Sequence, residues 1–286
     1  MSTIHPTAIL GKNVVLGPET VIEPYAVIED DVKLGAGNRI RQGVRICTGT
    51  TIGSHNDIHM HAVIGHIPQD LAFKPEPTFT VIGDHNQIRE FVTIHRGTKP
   101  GSATVIGHHN FIMAYCHLAH NVRLGNKIIM VNNASLTGYC EVDDNAFLSG
   151  MTGFHQFTRI GRLALVSALS AVNKDIPPFM ICGGRPGMIL GMNVVGMRRA
   201  GIAAPVRDEI KKAYKLLYRA GLNTSQALET IRAELHSPEV KHLVEFIETS
   251  KRGICDAATS DTDTLKPRKT FSGVQSDFDS DNDSEI

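Results

Sequence analysis

The chain has 286 residues with 29 Lys and Arg against 29 Asp and Glu, a formal net charge of zero. Apolar residues make up 42% and charged residues 20%, enough to bury a core without staples, which excludes a mini-protein and wholesale disorder. A zero balance supplies no general field toward nucleic acid or an anionic surface, and no stretch approaches the ~20 apolar residues of a membrane span.

Five cysteines, Cys47, Cys116, Cys140, Cys182 and Cys255, are scattered with no C-x-x-C pair. They predict reduced thiols rather than a zinc or redox centre. The start Met1–Pro6 has neither a basic run nor an apolar run, so the expected location is cytoplasmic. Trp is absent, aromatics are 6% and Gly numbers 26, which predicts a tightly turned architecture with a thin core.

From Ile4, every sixth residue to Val172 is apolar except Asp70, Glu76 and Pro100. A 3.6-residue helix would rotate such steps off a common face, and a two-residue strand alternation does not select a period of six. One six-residue side of a triangular coil does, so residues 18 apart should stack in a prism over 1–190. Gly often follows the periodic position (Gly11, Gly17, Gly35, Gly53, Gly65, Gly83, Gly107, Gly125, Gly161), as expected for corners needing permissive dihedrals. Small or β-branched residues four places on (Thr20, Ala26, Val32, Val44, Ala62) suit a narrow interior. The two interruptions, 66–80 and 97–104, read as loops thrown out of the prism, where sites tend to sit.

After Pro178 the period stops and helical spacing takes over. Ile210, Ala213, Tyr214 and Leu217, then Leu228, Ile231 and Leu235, then Leu243, Phe246 and Ile247 predict helices within 191–255. Pro205 and Asn223–Ser225 mark starts. Residues 256–286 carry three basic and eight acidic residues and read as a disordered acidic tail.

Among 14 histidines, those at turn positions (His55, His85, His108, His109) read as solvated corners. The paired His117 and His120, with Asn132–Gly138 and Gly153–Phe157, form the cluster with catalytic potential. The clock resembles the hexapeptide repeat, and so implies a left-handed parallel β-helix followed by a C-terminal α-helical domain. More specifically, Ile88–Thr98 (I-R-E-F-V-T-I-H-R-G-T), His117-x-x-His120, His155-Gln156-Phe157 and Asn193–Arg199 resemble the UDP-N-acetylglucosamine O-acyltransferases of lipid A biosynthesis.

That resemblance implies transfer of a 3-hydroxyacyl group from acyl carrier protein to the 3-hydroxyl of UDP-N-acetylglucosamine, with no metal and no cofactor. His120 then matches the general base and Gly138 the amide facing the oxyanion. Gln69, Asp70, His117, Asn121, His155 and Gln156 match acceptor contacts, Asn193 and Arg199 nucleotide contacts, and Ala168 the acyl-length ruler, its small side chain implying a fairly long chain. Grooves between prisms of a homotrimer would hold the sites.

Four positions depart from the family pattern: Asn121 for Asp, Ala72 for Lys, Tyr139 for His and Val195 for Glu. They leave open a changed acceptor, such as a 3-amino sugar nucleotide, or a non-catalytic scaffold. A zinc-dependent γ-type carbonic anhydrase is a further reading of the prism, disfavoured by the basic helical region. Resolved by segment, residues 191–255 carry 11 basic against seven acidic residues. Arg198, Arg199, Lys211, Lys212 and Lys215 on these helices form the expected docking surface for the acidic carrier protein.

Overall fold

The computed structural model describes residues 2–258. Within them the six-residue period becomes three parallel sheets that share one interior. The first face begins at Thr3–Ile4 and has 11 strands, the second begins at Ile9–Leu10 with nine, and the third begins at Val15–Leu16 with eight. Most strands have two residues, one pointing in and one out, so each coil contributes one inward apolar side chain per face. Ile28, Ile40, Ile46, Ile58, Ile88 and Ile112 are fully buried this way, whereas Ile4 is exposed because nothing stacks beneath the first coil.

Register follows the arithmetic of the sequence. Thr3 pairs with Val21, 18 residues on, but Thr80 pairs with Thr50 below it and with Thr104 above it, because each loop adds whole hexads. Residues 67–78 leave between the strands Val63–His66 and Phe79–Ile82, and residues 96–102 between Thr93–His95 and Ala103–Ile106. Both loops therefore spring from the same edge, between the second and third faces.

Except for Gly65 (φ 77°), the glycines after the periodic position do not serve permissive dihedrals as expected. Gly17, Gly35, Gly53, Gly83 and Gly107 have ordinary φ; a Cβ on any of them would run into the backbone or a corner side chain of the next coil. They are there for close stacking. Left-handed backbone instead falls at the third residue after the periodic position, and mostly on side chains other than Gly: Asn13 (φ 57°), Tyr25 (60°), Phe91 (58°), Tyr115 (61°), Asn121 (59°) and Tyr139 (60°). The αL cost of about 1 kcal/mol or more per corner is offset by stacking between coils. His55, His85 and His109 stack with ring centroids 5.0 and 4.8 Å apart, and Phe91 stacks on Tyr115 at 5.0 Å.

Between the third and first faces, buried Asn38, Asn56, Asn86 and Asn110 form a ladder. Each Oδ1 accepts from the backbone amide of the next coil, at 2.9, 2.9, 2.9 and 2.8 Å, ending at Ile128. The amide groups are thereby satisfied inside an apolar prism.

The parallel coils give way to an antiparallel pair, Met180–Gly183 with Met188–Met192, and then to four helices. These are α1 (Val194–Arg199), α2 (Ala204–Tyr218), α3 (Thr224–Glu234) and α4 (Pro238–Glu248). Pro205 lies at the start of α2, and Asn223 with Gln226 makes a capping box for α3. Buried Asp175 ties helices to prism: its Oδ1 accepts from the Arg159 amide at 2.9 Å and its Oδ2 from Ser250 Oγ at 2.7 Å. The packed chain runs past Cys255, since Lys174 holds Asp256 at 2.7 Å and Ala257 bridges to Ile189. The remainder of the expected acidic tail, 259–286, lies outside the described residues.

Candidate active site

The edge that carries both loops also carries His120. Residues 18 apart stack there, so His120, Gly138 and Gln156 form one column and Asn121, Tyr139 and Phe157 the next, with Tyr139 and Phe157 stacked at 4.9 Å. His120 is buried to 5% exposure, and its ring lies against Gly138. A Cβ on Gly138 would stand 2.5 Å from Nε2 of His120, so no larger residue leaves room for the imidazole. The Gly138 amide donates to no other group among the described residues, while its carbonyl accepts from Phe157 N at 3.1 Å.

The protonation of His120 follows from its partners. Asn121 Oδ1 accepts from the Thr98 amide at 3.0 Å, which fixes which end of the side-chain amide is the oxygen. The same oxygen accepts from Thr98 Oγ1 at 2.9 Å and lies 3.1 Å from His120 Nδ1. An amide oxygen only accepts, so Nδ1 carries the hydrogen and Nε2 keeps a free lone pair. Having given its proton to Asn121, Thr98 Oγ1 accepts from Tyr139 OH at 3.1 Å. Two of the four departures from the family pattern, Asn121 and Tyr139, thus join one network that holds the His120 imidazole.

On the other side of the ring, Asp70 Oδ2 stands 3.6 Å from Nε2, too far for a hydrogen bond and close enough for charge to matter. Asp70 is set by its own turn, its Oδ1 accepting from the Ala72 amide at 2.9 Å. Gln69, Ala72 and Lys74 are exposed on this loop. Arg96, from the second loop, lies over the Phe73 ring at 5.9 Å and donates to Thr48 O at 3.3 Å, so the two loops brace each other.

His117 projects from the second face, its Nδ1 2.7 Å from Thr93 Oγ1. Burial, with the neighbouring His120, pushes its pKa down. Behind it His95, 4% exposed and edge-on at 5.0 Å, is pushed down to about 4 by burial and by His117, His66 and His120. Both imidazoles are therefore neutral near pH 7. His155 and Gln156 are exposed one coil above Gly138, and His155 Nδ1 lies 3.2 Å from Gln156 O. The edge divides two cavities. One of about 450 Å³ lies over the second face against Ser135, Thr137, Gly153, His155 and Ala171; the other, about 610 Å³, lies over the third face against Asn121, Tyr139, Arg123 and Arg159.

The remaining expected residues lie elsewhere. Asn193 caps α1, its Oδ1 accepting from the Gly196 amide at 2.8 Å while Nδ2 donates to Leu163 O at 2.9 Å. Its side chain thus has a structural role within this protomer. Arg198, Arg199 and Val195 are exposed on α1. Ala168 is exposed at the edge between the first and second faces. Lys211 and Lys215 line one cavity of about 330 Å³ with Tyr214 and Arg219, and Lys212 points outside it. Sequence reasoning missed Thr98, Thr93, His95 and Arg96 as supports, although all four lie in the run that carried the resemblance. Among the described residues no group of three or more His, Cys, Asp or Glu is placed to hold a metal ion.

Comparison with known proteins agrees with this arrangement. Residues 175–255 match the family model described as "Udp N-acetylglucosamine O-acyltransferase; Domain 2", and residues 13–48 match the bacterial transferase hexapeptide model. The acyl-[acyl-carrier-protein]–UDP-N-acetylglucosamine O-acyltransferase of Myxococcus xanthus is 44% identical over 208 residues, 72% of this chain and 80% of that protein. Its Anaeromyxobacter counterpart is 39% identical over 207 residues, again 72% and 80%. Among solved structures, the Campylobacter jejuni UDP-N-acetylglucosamine acyltransferase superposes with a TM-score of 0.85 at 39% identity, over 90% of this chain and 100% of that one. The Francisella novicida enzyme gives 0.86 at 34% identity, over 91% and 96%. A left-handed β-helix of hexapeptide repeats, and relatives of this identity over most of its length, establish that the chain belongs to the acyl-[acyl-carrier-protein]–UDP-N-acetylglucosamine O-acyltransferase family.

Proposed function

We propose that the protein transfers a 3-hydroxyacyl group from acyl carrier protein to the 3-hydroxyl of UDP-N-acetylglucosamine, with His120 as general base. The observation that carries this reading is the fixed tautomer of His120: Asn121 holds the Nδ1 hydrogen, so the Nε2 lone pair is available to a sugar hydroxyl. As the hydroxyl attacks the thioester carbonyl, its proton passes to Nε2 and negative charge grows on the carbonyl oxygen. The free Gly138 amide lies beside the same ring and suits that oxyanion. Collapse of the intermediate expels the carrier's thiolate, which takes the proton back from the imidazolium.

Asn121 has no charge with which to stabilise that imidazolium, and Asp70, 3.6 Å from Nε2, supplies one. Gln69, His117, His155 and Gln156 surround this point and suit the acceptor sugar and its phosphates, and Arg199 of α1 suits the nucleotide side. The acyl chain fits along the second face, where outward Ser135, Gly153 and Ala171 are small, with Ala168 at the far edge limiting its length.

A homotrimer brings α1 of one prism to the edge of the next, and the exposed column Tyr25, Phe91, Tyr115, Met151 and Leu169 supports such association. No helix among the described residues is long and apolar enough to cross a membrane, and cytoplasmic location fits a carrier-protein substrate.

The test is to incubate the protein with UDP-N-acetylglucosamine and 3-hydroxyacyl carrier protein, beside His120→Ala. Wild type should acylate the sugar and the variant should lose about 10²- to 10⁴-fold in kcat. Absence of product from wild type sinks the reaction, and equal rates sink the role of His120.

A further inference from the structure

Two cations on α2 and a third at its C-cap lack an ion-pair partner among the described residues. Lys211, Lys215 and Arg219 line the cavity of about 330 Å³, which Met192, Tyr214 and Ala220 complete with apolar wall. None of the three makes an ion pair among the described residues, and Arg219 only donates to Tyr214 OH at 3.3 Å. Unpaired like charges on one helix face repel each other and draw in an anionic partner.

The described chain ends against the strand that reaches this cavity. Ala258 N donates to Ile189 O at 3.0 Å, and Ile189 belongs to the strand Met188–Met192, whose last residue lines the cavity. Tyr218, on the next turn of α2, has its phenol pushed up by burial, then by Cys255, Cys182 and Asp256, so the end of the described chain lies near that helix. Tyr218 is 5.6 Å from Tyr214, itself a wall of the cavity. The sequence beyond Ala258 turns acidic: Asp277, Asp279, Asp281, Asp283 and Glu285 fall within Asp277–Glu285, a stretch with no Lys or Arg and a single aromatic, Phe278.

We infer that the segment Asp277–Glu285 docks in the Lys211–Lys215–Arg219 cavity of α2 and competes there with the acyl carrier protein. This rests on the reading of the same helix as the carrier's docking surface. The connecting stretch from 258 to 277 spans up to ~60 Å when extended, at ~3.3 Å per residue, far more than the cavity requires. Tethering gives the segment an effective concentration in the millimolar range, so a weak charge-driven contact suffices to compete. Phe278 matches the apolar wall of Tyr214 and Met192. The segment thus presents what the carrier presents, acidic groups around an apolar contact, and it raises the apparent KM for the carrier without touching the chemistry at His120.

The full chain, a chain ending at Ala258, and a full chain with Asp277, Asp279, Asp281 and Asp283→Asn and Glu285→Gln are compared for carrier KM at low salt. Removal and neutralisation should each lower KM by about 3- to 10-fold with kcat unchanged, and the difference should vanish at about 0.5 M salt. Unchanged KM in the shortened chain overturns the proposal, and so does a neutralised chain that behaves as wild type. Independently, a labelled peptide of residues 274–286 should bind the shortened chain and lose binding with Lys211→Glu/Lys215→Glu; binding that ignores those changes overturns the proposal. The docking reading has its own readout: Lys211→Glu/Lys215→Glu in the shortened chain should raise carrier KM. If it does not, that reading fails whatever the peptide does.

Discussion

Position 121 shows how one atom can be kept while its charge is lost. The family pattern places Asp where this chain has Asn121, and the Asn121 amide oxygen lies 3.1 Å from Nδ1 of His120. The acceptor is kept, and in the proposed reaction stabilisation of the imidazolium falls to Asp70, 3.6 Å from Nε2. Asn121→Asp, which restores a charge beside His120, should therefore increase kcat severalfold, and steady-state rates of the two chains check it. His95 makes a different prediction. Its folded pKa of about 4 lies below the unfolded value near 6.5, so between those values the unfolded chain binds more protons. Stability is full above about pH 6.5 and falls as pH drops toward 4. Urea midpoints measured across that window should decline for wild type, and the part of the decline due to this group should disappear in His95→Gln. The sequence made His117 and His120 visible because they sit three apart in a short motif. It left Thr98 silent, because its contact with Asn121 exists only once a loop brings the preceding coil to the same edge.

At the scale of elements, the strands were legible and the corners were not. An inward residue every six places follows from burial alone, and from Ile22 to Val172 every such position outside the two loops obeys it. No propensity places Tyr25, Phe91 or Tyr115 at positive φ, since bulky residues are disfavoured there. They sit there because ring stacks such as Phe91 on Tyr115 repeat up the edge, a tertiary gain that a local reading misses. The helices followed their apolar spacing, and Asn223 capped α3 where a start was expected. Within α2 the structure divides residues that the sequence grouped: Lys211 and Lys215, a helical turn apart, share a cavity, and Lys212 lies off it. Lys211→Glu should raise the carrier-protein KM by about 3- to 10-fold at low salt, and Lys212→Glu by less than about 2-fold, as steady-state assays at two ionic strengths will show.

For the whole molecule, stacking fixes the site more tightly than any single contact does. The two loops leave the prism at one edge, and His120, Asn121, Gly138 and Tyr139 return to that edge in later coils. Every residue of the prism thus has an address with two coordinates, an angle set by its place in a cycle of 18 and a height set by how many cycles precede it. A six-residue duplication placed after Gly107 preserves the apolar clock, so the chain should still fold with an unchanged far-ultraviolet spectrum. It advances everything above by a third of a turn, carrying His120 to a different edge from Asp70 and Thr98, and acyl transfer should vanish. Insertion of 18 residues keeps the angle and lifts the base by about 4.8 Å, one strand spacing, which parts the same pairs along the axis instead. In this architecture insertions and deletions act as rotations and translations, so the catalytic edge is tuned by phase as much as by chemistry.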